Sequence, residues 1–379
     1  MPWKEVTLMS TRREFVLLAQ RPDANIAALC RGFGISRKTA YKWLELYGRH
    51  GDDGLADRSR RPINSPASTA ARLEAAILAL NAAHPYWGAR KLRILLPEEL
   101  GRPHHSTIDA VLRRHGREIL GAPVKQEAVA PLRFEHEAPN LLWQMDFKGH
   151  FALTDRSAGR CHPLTILDDH SRFNLCLSAC ANEQRLTVQA ALQSTFERYG
   201  MPQRITTDNG SPWGASGRKG LSELEVWLIR LGIRVSHSRP YHPQTQGKDE
   251  RFHRTLKLEL LQRYGFNSLE ACQRAFDEWR DSYNLLRPHE ALTQQPPVSR
   301  YQPSGREFPS ILPPVEYAPG DIVRKVNNKG EISFHNRRFF VGEGLRAQAV
   351  AIKPATGDDI YDIYFCHKVV KQLSLGDTA

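Results

Sequence analysis

Three acidic residues stand at positions where a carboxylate needs an explanation. Asp208 follows an apolar-then-polar run and precedes an Asn-Gly pair, which typically closes a strand. Asp146 is the single acid in the apolar segment 141–147, where a charge is costly unless it is paired or bound to a cation. Glu250 opens a run whose apolar residues recur at helical spacing, so we expect it in the first turns of a helix.

Carboxylates from two strands and a helix could converge on hard divalent cations, which prefer oxygen ligands. Two such ions roughly 3.5–4 Å apart can activate an attacking oxygen and stabilise a leaving oxygen at a phosphodiester. Neighbouring acids are competing candidates. Asp249 precedes Glu250, but adjacent helix residues point about 100° apart, so only one of the two can face the ions. Asp168 and Asp169 follow another strand, where we expect carboxylates that cap a turn.

Four motifs, taken in order, resemble the core of a known family. They begin at residues 143, 205, 247 and 283 and run W-Q-M-D-F-K-G, I-T-T-D-N-G-S, G-K-D-E-R-F-H-R-T-L-K and Y-N-L-L-R-P-H-E-A-L. They are similar to the aspartate-aspartate-glutamate core of retroviral-integrase-like transposases of bacterial insertion sequences. The resemblance implies catalytic and metal-binding roles for Asp146, Asp208 and Glu250. It favours Glu250 over Asp249, because the family pattern has a basic residue seven positions after the glutamate and Lys257 stands there. We expect Asn209 either to support this site through its amide or only to form the tight turn.

The order of the predicted elements indicates a multidomain α/β protein. Three strands are followed by alternating helices and strands, which indicates a mixed sheet with flanking helices, similar to the ribonuclease-H-like fold of that family. The spacing between Asp208 and Glu250 is longer than is common in the family, and 214–220 resembles an inserted loop. The predicted domains are a helix-turn-helix DNA-binding domain (1–50), a basic linker (51–66), a second helix-turn-helix domain (67–120), a linker (121–138), a ribonuclease-H-like integrase catalytic core (139–302) and a C-terminal small β-barrel (316–375).

The N-terminal region and the net charge indicate contacts with DNA. The charge of +12 and the pI of about 9.5 favour polyanionic partners. Gly34 stands at the turn and Ser36 at the cap of a helix-turn-helix, whose second helix would present its first residues to the major groove. The alternative is a small helical domain with a solvated basic face. The candidate DNA contacts lie on this helix, in the linker, in the second helical domain and on the helix of Glu250: Arg37, Lys38, Thr39, Lys42, Arg58, Arg60, Arg61, Arg113, Arg114, Arg251, Arg254 and Lys257.

The cysteines and the N-terminus indicate a reduced setting. The six cysteines include no Cys-x-x-Cys pair, so neither a zinc signature nor a disulfide framework is predicted. The first residues lack the layout of a signal peptide, and no apolar run reaches membrane-spanning length. We therefore expect a cytoplasmic bacterial protein that associates with the nucleoid through DNA and has no membrane partner.

Together these features predict a DNA transposase. It would bind the terminal inverted repeats of an insertion sequence, cleave the 3′ ends by hydrolysis and join them to target DNA. Two Mg²⁺ ions, for which Mn²⁺ can substitute, would be its cofactors, and a homo-oligomer assembled on double-stranded DNA its active form. One alternative is a catalytically silent DNA-binding regulator derived from a transposase, although three buried carboxylates would be of no use to it. A ribonuclease-H-type nuclease is another, but it would not need two helix-turn-helix domains.

Overall fold

The chain divides into two units, Met1–Ser68 and Thr69–Ala379. The structure, a computed structural model, describes residues 8–57, 69–117, 135–214, 220–237, 247–357 and 359–375. Three candidate DNA contacts, Arg58, Arg60 and Arg61, lie outside the described residues, as does 215–219 of the proposed loop insertion. The domain boundaries drawn from the sequence stay predictions.

The first unit contains the predicted helix-turn-helix. Its helices are α1 (Leu8–Ala19), α2 (Ile26–Gly32) and α3 (Arg37–His50). The turn before α3 forms because Gly34 adopts a φ of +64°, a left-handed conformation that glycine reaches without strain. Ser36 then caps α3 by accepting a hydrogen bond from the backbone N–H of Thr39 at 3.1 Å. Ala40 is fully buried against α1 and α2, so the motif is confirmed.

A second group of helices opens the second unit. These helices are α4 (Ala71–Ala83), α5 (Ala89–Leu95) and α6 (His105–Arg114). Ile77, Leu92 and Ile108, one from each helix, are fully buried in a common core with Trp87. Every helix among the described residues of the chain is too short or too polar to cross a bilayer.

The central region is built on a six-stranded mixed sheet. Its strands are β1 (Trp143–Phe147), β2 (Phe151–Ala152), β3 (Arg160–Asp168), β4 (Asn174–Cys180), β5 (Arg204–Thr207) and β6 (Arg234–His237). Strands β4, β3 and β1 pair antiparallel, whereas β1, β5 and β6 pair parallel, and β2 pairs with the start of β3. Gly149 turns the chain at a φ of +83° between β1 and β2.

Helices cover both faces of this sheet, as predicted. They are α7 (Arg185–Tyr199), α8 (Glu223–Arg230), α9 (Gly247–Leu256) and α10 (Leu269–Asp281). Trp143 and Met145 of β1 pack in the core shared with α7 and α8. On the other face, Phe252 of α9 and Phe276 of α10 pack against β3 and β4. Because side chains alternate along a strand, Asp146 points to the face that carries α9.

The C-terminal strands form open sheets. They are β7 (Ile322–Lys325), β8 (Glu331–Phe334), β9 (Arg337–Phe340), β10 (Ala349–Pro354), β11 (Ile360–Phe365) and β12 (Lys368–Ser374). Four of them pair in the order β12-β11-β10-β7, and β8 pairs with β9 alone. The expected barrel is not confirmed, because the strand pairing within 320–357 and 359–375 does not close on itself. The apolar side of these strands instead buries Val226 and Ile229 of α8.

Candidate active site

Two of the predicted acids lie side by side at one edge of the central sheet. Strands β1 and β5 pair in parallel register, with Gln144 opposite Thr206. Asp146 stands two residues further along β1, and Asp208 is the first residue after β5, so the two lie on the same face and next to each other. Both strands end at this edge because they are parallel.

The two carboxylates are close enough to disfavour a second negative charge. Burial, and then the charge of Asp208, raises the pKa of Asp146 to about 6. Asp208 is half-buried, and its Oδ1 accepts a hydrogen bond from the backbone N–H of Gly210 at 2.9 Å. The side chain of Asp146 keeps 27% of its surface exposed. Two crowded, partly exposed carboxylates form an arrangement that a divalent cation can stabilise.

Helix α9 presents two adjacent acids and a histidine to β1. Nδ1 of His253 lies 3.8 Å from Oδ2 of Asp146. At about 100° per residue, Asp249 lies about 40° to one side of His253 and Glu250 about 60° to the other. Burial, and then the charge of Asp146, raises the pKa of Asp249 well above its ordinary value. Its Oδ1 is buried without a hydrogen-bond partner among the described residues, whereas Glu250 is exposed.

The structure therefore brings the predicted triad together only in part. Asp146 and Asp208 are neighbours, and the acid that faces Asp146 most directly from α9 is Asp249. Glu250 stands one helical position away. Within the described ranges, no three His, Cys, Asp or Glu side chains are already spaced to hold a metal ion.

His253 makes a polar contact beneath the site. Burial lowers its pKa to about 3, so the imidazole is neutral. The hydroxyl of Thr165, opposite Asp146 on β3, donates to the Asp146 carbonyl at 2.9 Å and lies 2.8 Å from Nε2 of His253. Nε2 is therefore the protonated nitrogen, because the hydroxyl has only its acceptor side left.

A buried ion pair fixes the first turn of α9 to the sheet. Lys248 donates to Oδ1 of Asp169, whose side chain is fully buried, and to the Asp169 carbonyl at 3.1 Å. Gln144 also donates to Oδ1 at 2.8 Å, and the backbone N–H of His136 donates to Oδ2 at 2.9 Å. Burial opposes the charge of Asp169, but the hydrogen bonds from Lys248 and His136 outweigh it and lower the pKa. We call these four residues the Asp169 clamp.

Asp168, in contrast, has the expected capping role. Its Oδ1 accepts the backbone N–H of Asn140 at 2.8 Å, and its Oδ2 accepts both the backbone N–H and the hydroxyl of Ser171. The clamp of Asp169 was not predicted. The only local signal for it is the Asp-Asp pair after β3, and its lysine partner stands 79 residues away.

A second pair supports the backbone of Asp208. Nδ1 of His237 donates to the Asp208 carbonyl at 2.8 Å, and Nε2 donates to Oε1 of Glu225 at 3.0 Å. The hydrogen bond that His237 donates to Glu225 raises the pKa of His237, and burial opposes that shift. Glu225 is itself fixed, because it forms a capping box with Ser222 at the start of α8. No local sequence pattern indicates that Glu225, twelve residues earlier in the chain, is the carboxylate partner of His237.

The candidate DNA contacts have varied surroundings. Arg37, Lys38 and Lys42 are exposed on α3, whereas the hydroxyl of Thr39 lies 2.9 Å from that of Ser36. Arg113 is exposed on α6. Its neighbour Arg114 forms an ion pair with Glu74 at 2.9 Å. Three basic side chains on and just after α9 are exposed: Arg251, Arg254 and Lys257. Arg251 pairs loosely with Glu290 at 3.7 Å. Asn209 is exposed in the turn after β5.

Family models match most of the chain in successive segments. Two models described as integrase core domain match residues 136–243 and 231–297. A helix-turn-helix domain matches 11–63, and a homeodomain-like domain matches 39–112. The C-terminal domain of the IS481 family of transposases matches 321–378.

Individual proteins match at lower identity. The chain is 27% identical over 244 residues to an uncharacterised 39.2 kDa protein of insertion element IS476 from Xanthomonas euvesicatoria, a match that covers 62% of this chain and 66% of the relative. It is 25% identical to an uncharacterised 31.7 kDa protein of insertion element IS407 from Burkholderia multivorans, over 56% of this chain and 74% of the relative. Among solved structures, the HTLV-2 integrase catalytic core domain in complex with magnesium covers 43% of this chain and is itself covered to 97%, at 20% identity and a TM-score of 0.34.

Proposed function

Because the chain belongs to the integrase-core transposases of insertion sequences, we propose that it cleaves the 3′ ends of an insertion sequence and joins them to target DNA. The observation that carries the proposal is the pair Asp146 and Asp208 at adjacent parallel strand ends, with α9 facing them. Both steps attack a phosphodiester, first with water and then with the freed 3′-hydroxyl. Neither step requires a nucleophile from the protein.

The acidic residues at this edge would hold divalent cations, with Mg²⁺ the natural choice for carboxylate oxygens. Bound ions would activate the attacking oxygen and stabilise the leaving one. The chain fits this role in two respects. Burial, and then the charge of Asp208, raises the pKa of Asp146, and a bound cation would offset both effects. Within the described residues, Oδ1 of Asp249 is buried without a hydrogen-bond partner. Asp146 and Asp208 would hold the ions, and the Asp169 clamp would hold α9 in position.

Two adjacent acids compete for the third ligand position. We propose Glu250, because it is exposed toward solvent where a DNA end can approach, whereas Asp249 is buried and its carboxyl prefers its proton. Glu250 also lies only about 20° around the helix from the basic Lys257, counting seven residues at 100° each. The alternative is Asp249, since its carboxyl is the one that senses the charge of Asp146.

The rest of the proposed function concerns DNA and assembly. The exposed basic start of α3 supports major-groove binding by the first domain, with Arg37, Lys38 and Lys42 as contacts. The antiparallel order β4-β3-β1 followed by the parallel order β1-β5-β6 supports a ribonuclease-H-like core. Joining two element ends in one reaction requires two active sites, so we expect a homo-oligomer on the DNA.

A silent DNA-binding regulator remains the second candidate. It is favoured by one observation: within the described residues, the acids of this edge do not form a complete set of three metal ligands. The regulator would bind the element ends through its helix-turn-helix domains and would never cut them.

The decisive experiment follows strand cleavage and joining on labelled duplexes that carry the DNA flanking the gene, with Mg²⁺ or Mn²⁺. Wild type is compared with Asp208→Asn, Glu250→Gln and Asp249→Asn, and DNA binding is measured for all four proteins. We expect nicked and joined products from wild type and from Asp249→Asn. We expect none from Asp208→Asn or Glu250→Gln, although both should bind normally.

Each other outcome assigns the site differently. Loss of products in Asp249→Asn together with full activity in Glu250→Gln would transfer the third ligand position to Asp249. Cutting by Asp208→Asn at the wild-type rate would refute the site altogether. Binding of the element ends by wild type without any cutting would leave the regulator as the function.

A further inference from the structure

A basic groove lies beside β6, the edge strand of the central sheet. It has a volume of about 850 Å³. Its polar walls come from two distant parts of the chain: Arg204, Arg234 and Ser236 on β5 and β6, and His367 and Lys368 where β11 turns into β12. No acidic side chain of the described residues lines it. The lining of the groove is thus positively charged, and the nearby carboxylate of Glu225 lies close enough to interact with the charge of Lys368.

Two arginines in the groove are held beside each other. Arg204 and Arg234 are in register on the parallel strands β5 and β6, so their side chains leave the sheet on the same face. Like charges directly opposite one another on adjacent strands destabilise a sheet. The side chains of Arg204, Arg234 and Lys368 form no hydrogen bond or ion pair with any residue that the structure describes. The fold therefore tolerates an unfavourable contact that a bound anion would relieve.

The positive charge also acts on the opposite wall of the groove, which His367 and Lys368 form. Burial, and then the charges of Arg234 and Lys368, lowers the pKa of His367. The β11–β12 turn therefore lies close enough to Arg234 for the positive charges of the two walls to interact. An anion in the groove would contact both walls.

The groove leads toward the proposed catalytic edge. Arg204, Thr206 and Asp208 alternate along β5, so all three lie on one face of the sheet. The hydroxyls of Thr206 and Ser236 are 2.7 Å apart and form a polar floor between the arginines and Asp208. At about 3.3 Å per residue, Arg204 lies roughly 13 Å from Asp208. A DNA strand with one phosphate per 3.4 Å of helix axis spans that distance with about four phosphates.

We propose that this groove binds the phosphodiester backbone of the DNA strand that extends from the reacting phosphate at Asp208. The inference rests on the proposed function and adds to it the path of the DNA along β5 and β6. Arginine presents a planar fork of donors that matches the oxygens of a phosphate. One of the two hydroxyls of Thr206 and Ser236 can donate to the same group, because the other donates to its neighbour. The contact is to the backbone and reads no base sequence.

The test measures DNA binding, so it does not depend on cutting. In an Asp208→Asn background, the full chain carries Arg234→Gln with Lys368→Gln. A second protein carries Arg234→Glu with Lys368→Glu. The matched controls are Arg198→Gln with Arg338→Gln and the corresponding Glu pair, because both arginines are exposed and lie outside the groove. Affinity for a duplex with the flanking DNA and for an unrelated duplex is measured over a range of salt concentrations, and thermal unfolding checks the fold.

Loss of two phosphate contacts should lower the slope of log affinity against log salt by about two. Relative to the Asp208→Asn parent, we expect the Gln pair to bind both duplexes more weakly by the same factor. We expect a larger loss of affinity in the Glu pair and unchanged affinity in the Gln control. Unchanged affinity and slope in both groove variants would overturn the groove, as would an equal loss in the controls. If the Asp208→Asn protein itself bound neither duplex, the proposed function would fail, and the groove, which rests on it, would be overturned as well.

Discussion

Replacement of Lys248 by methionine tests whether the Asp169 clamp holds α9 against the sheet. The change removes the cation but keeps most of the apolar stem. It leaves the carboxylate of Asp169 at 0% exposure with only the donors from Gln144 and His136. Breaking a buried ion pair by removing one partner typically costs about 3–5 kcal/mol. Because two residues still donate to Asp169, we expect a loss at the lower end of this range, about 3 kcal/mol. This loss corresponds to an increase of roughly two powers of ten in the equilibrium constant for the opening of α9.

Hydrogen exchange followed by mass spectrometry is the appropriate assay, because it reports the local opening of α9 without requiring the whole chain to unfold in one step. The amides of 251–256 should exchange about a hundredfold faster in Lys248→Met. Lys257→Met is the matched control, because Lys257 is exposed just after α9 and surface changes usually stay within about 0.5 kcal/mol. The double variant Asp169→Asn with Lys248→Met should recover much of the loss, because no unpaired charge stays buried.

The reasoning would be refuted by exchange within threefold of wild type in Lys248→Met, since Asp169 would then be stabilised without its cation. Equal acceleration in Lys257→Met would also refute it, because the effect would then come from any lost charge on this segment.

Three further outcomes follow from single residues. Burial, and then the charge of Arg287, lowers the pKa of His289 to about 2 from an ordinary 6.5. Only the unfolded chain then takes up this proton, so stability is complete above pH 6.5 and falls by up to about 1.4 kcal/mol per pH unit below it. Urea unfolding should show a smaller acid slope in His289→Gln, and an unchanged slope would contradict this. Gly34→Ala should lower the stability of the first unit by about 1 kcal/mol, because alanine is strained at a φ of +64°; a calorimetric transition at the wild-type temperature would count against it. Lys38→Ala should lower the salt slope of DNA binding by about one, and equal slopes would exclude a phosphate contact at that residue.

The sequence by itself determined the features that depend on local spacing. The residues around Asp146 and Asp208 place each acid in a strand or at the end of one, but their common face follows from the parallel register of β1 and β5. Gly34 and Ser36 determine the turn and the start of α3, because a left-handed glycine and a capping hydroxyl act within a few residues. Glu250 was predicted on a helix for the same reason.

Tertiary structure decided every feature that depends on partners distant in the chain. Helical spacing states that Asp249 and Glu250 point in different directions, but only the docking of α9 by the Asp169 clamp decides which acid faces Asp146. The groove brings Arg204 and Arg234 opposite a turn more than a hundred residues later, and no local pattern encodes that encounter.

The C-terminal strands show the same limit. Alternating apolar residues predict strands, but they do not state which strand edges pair. The sheet remains open, and its apolar side packs on α8. Local spacing thus determines which face of an element is apolar, whereas the packing of the whole chain decides what covers that face. The physical reason is that the hydrophobic free energy depends on the apolar area removed from water and not on which partner covers it.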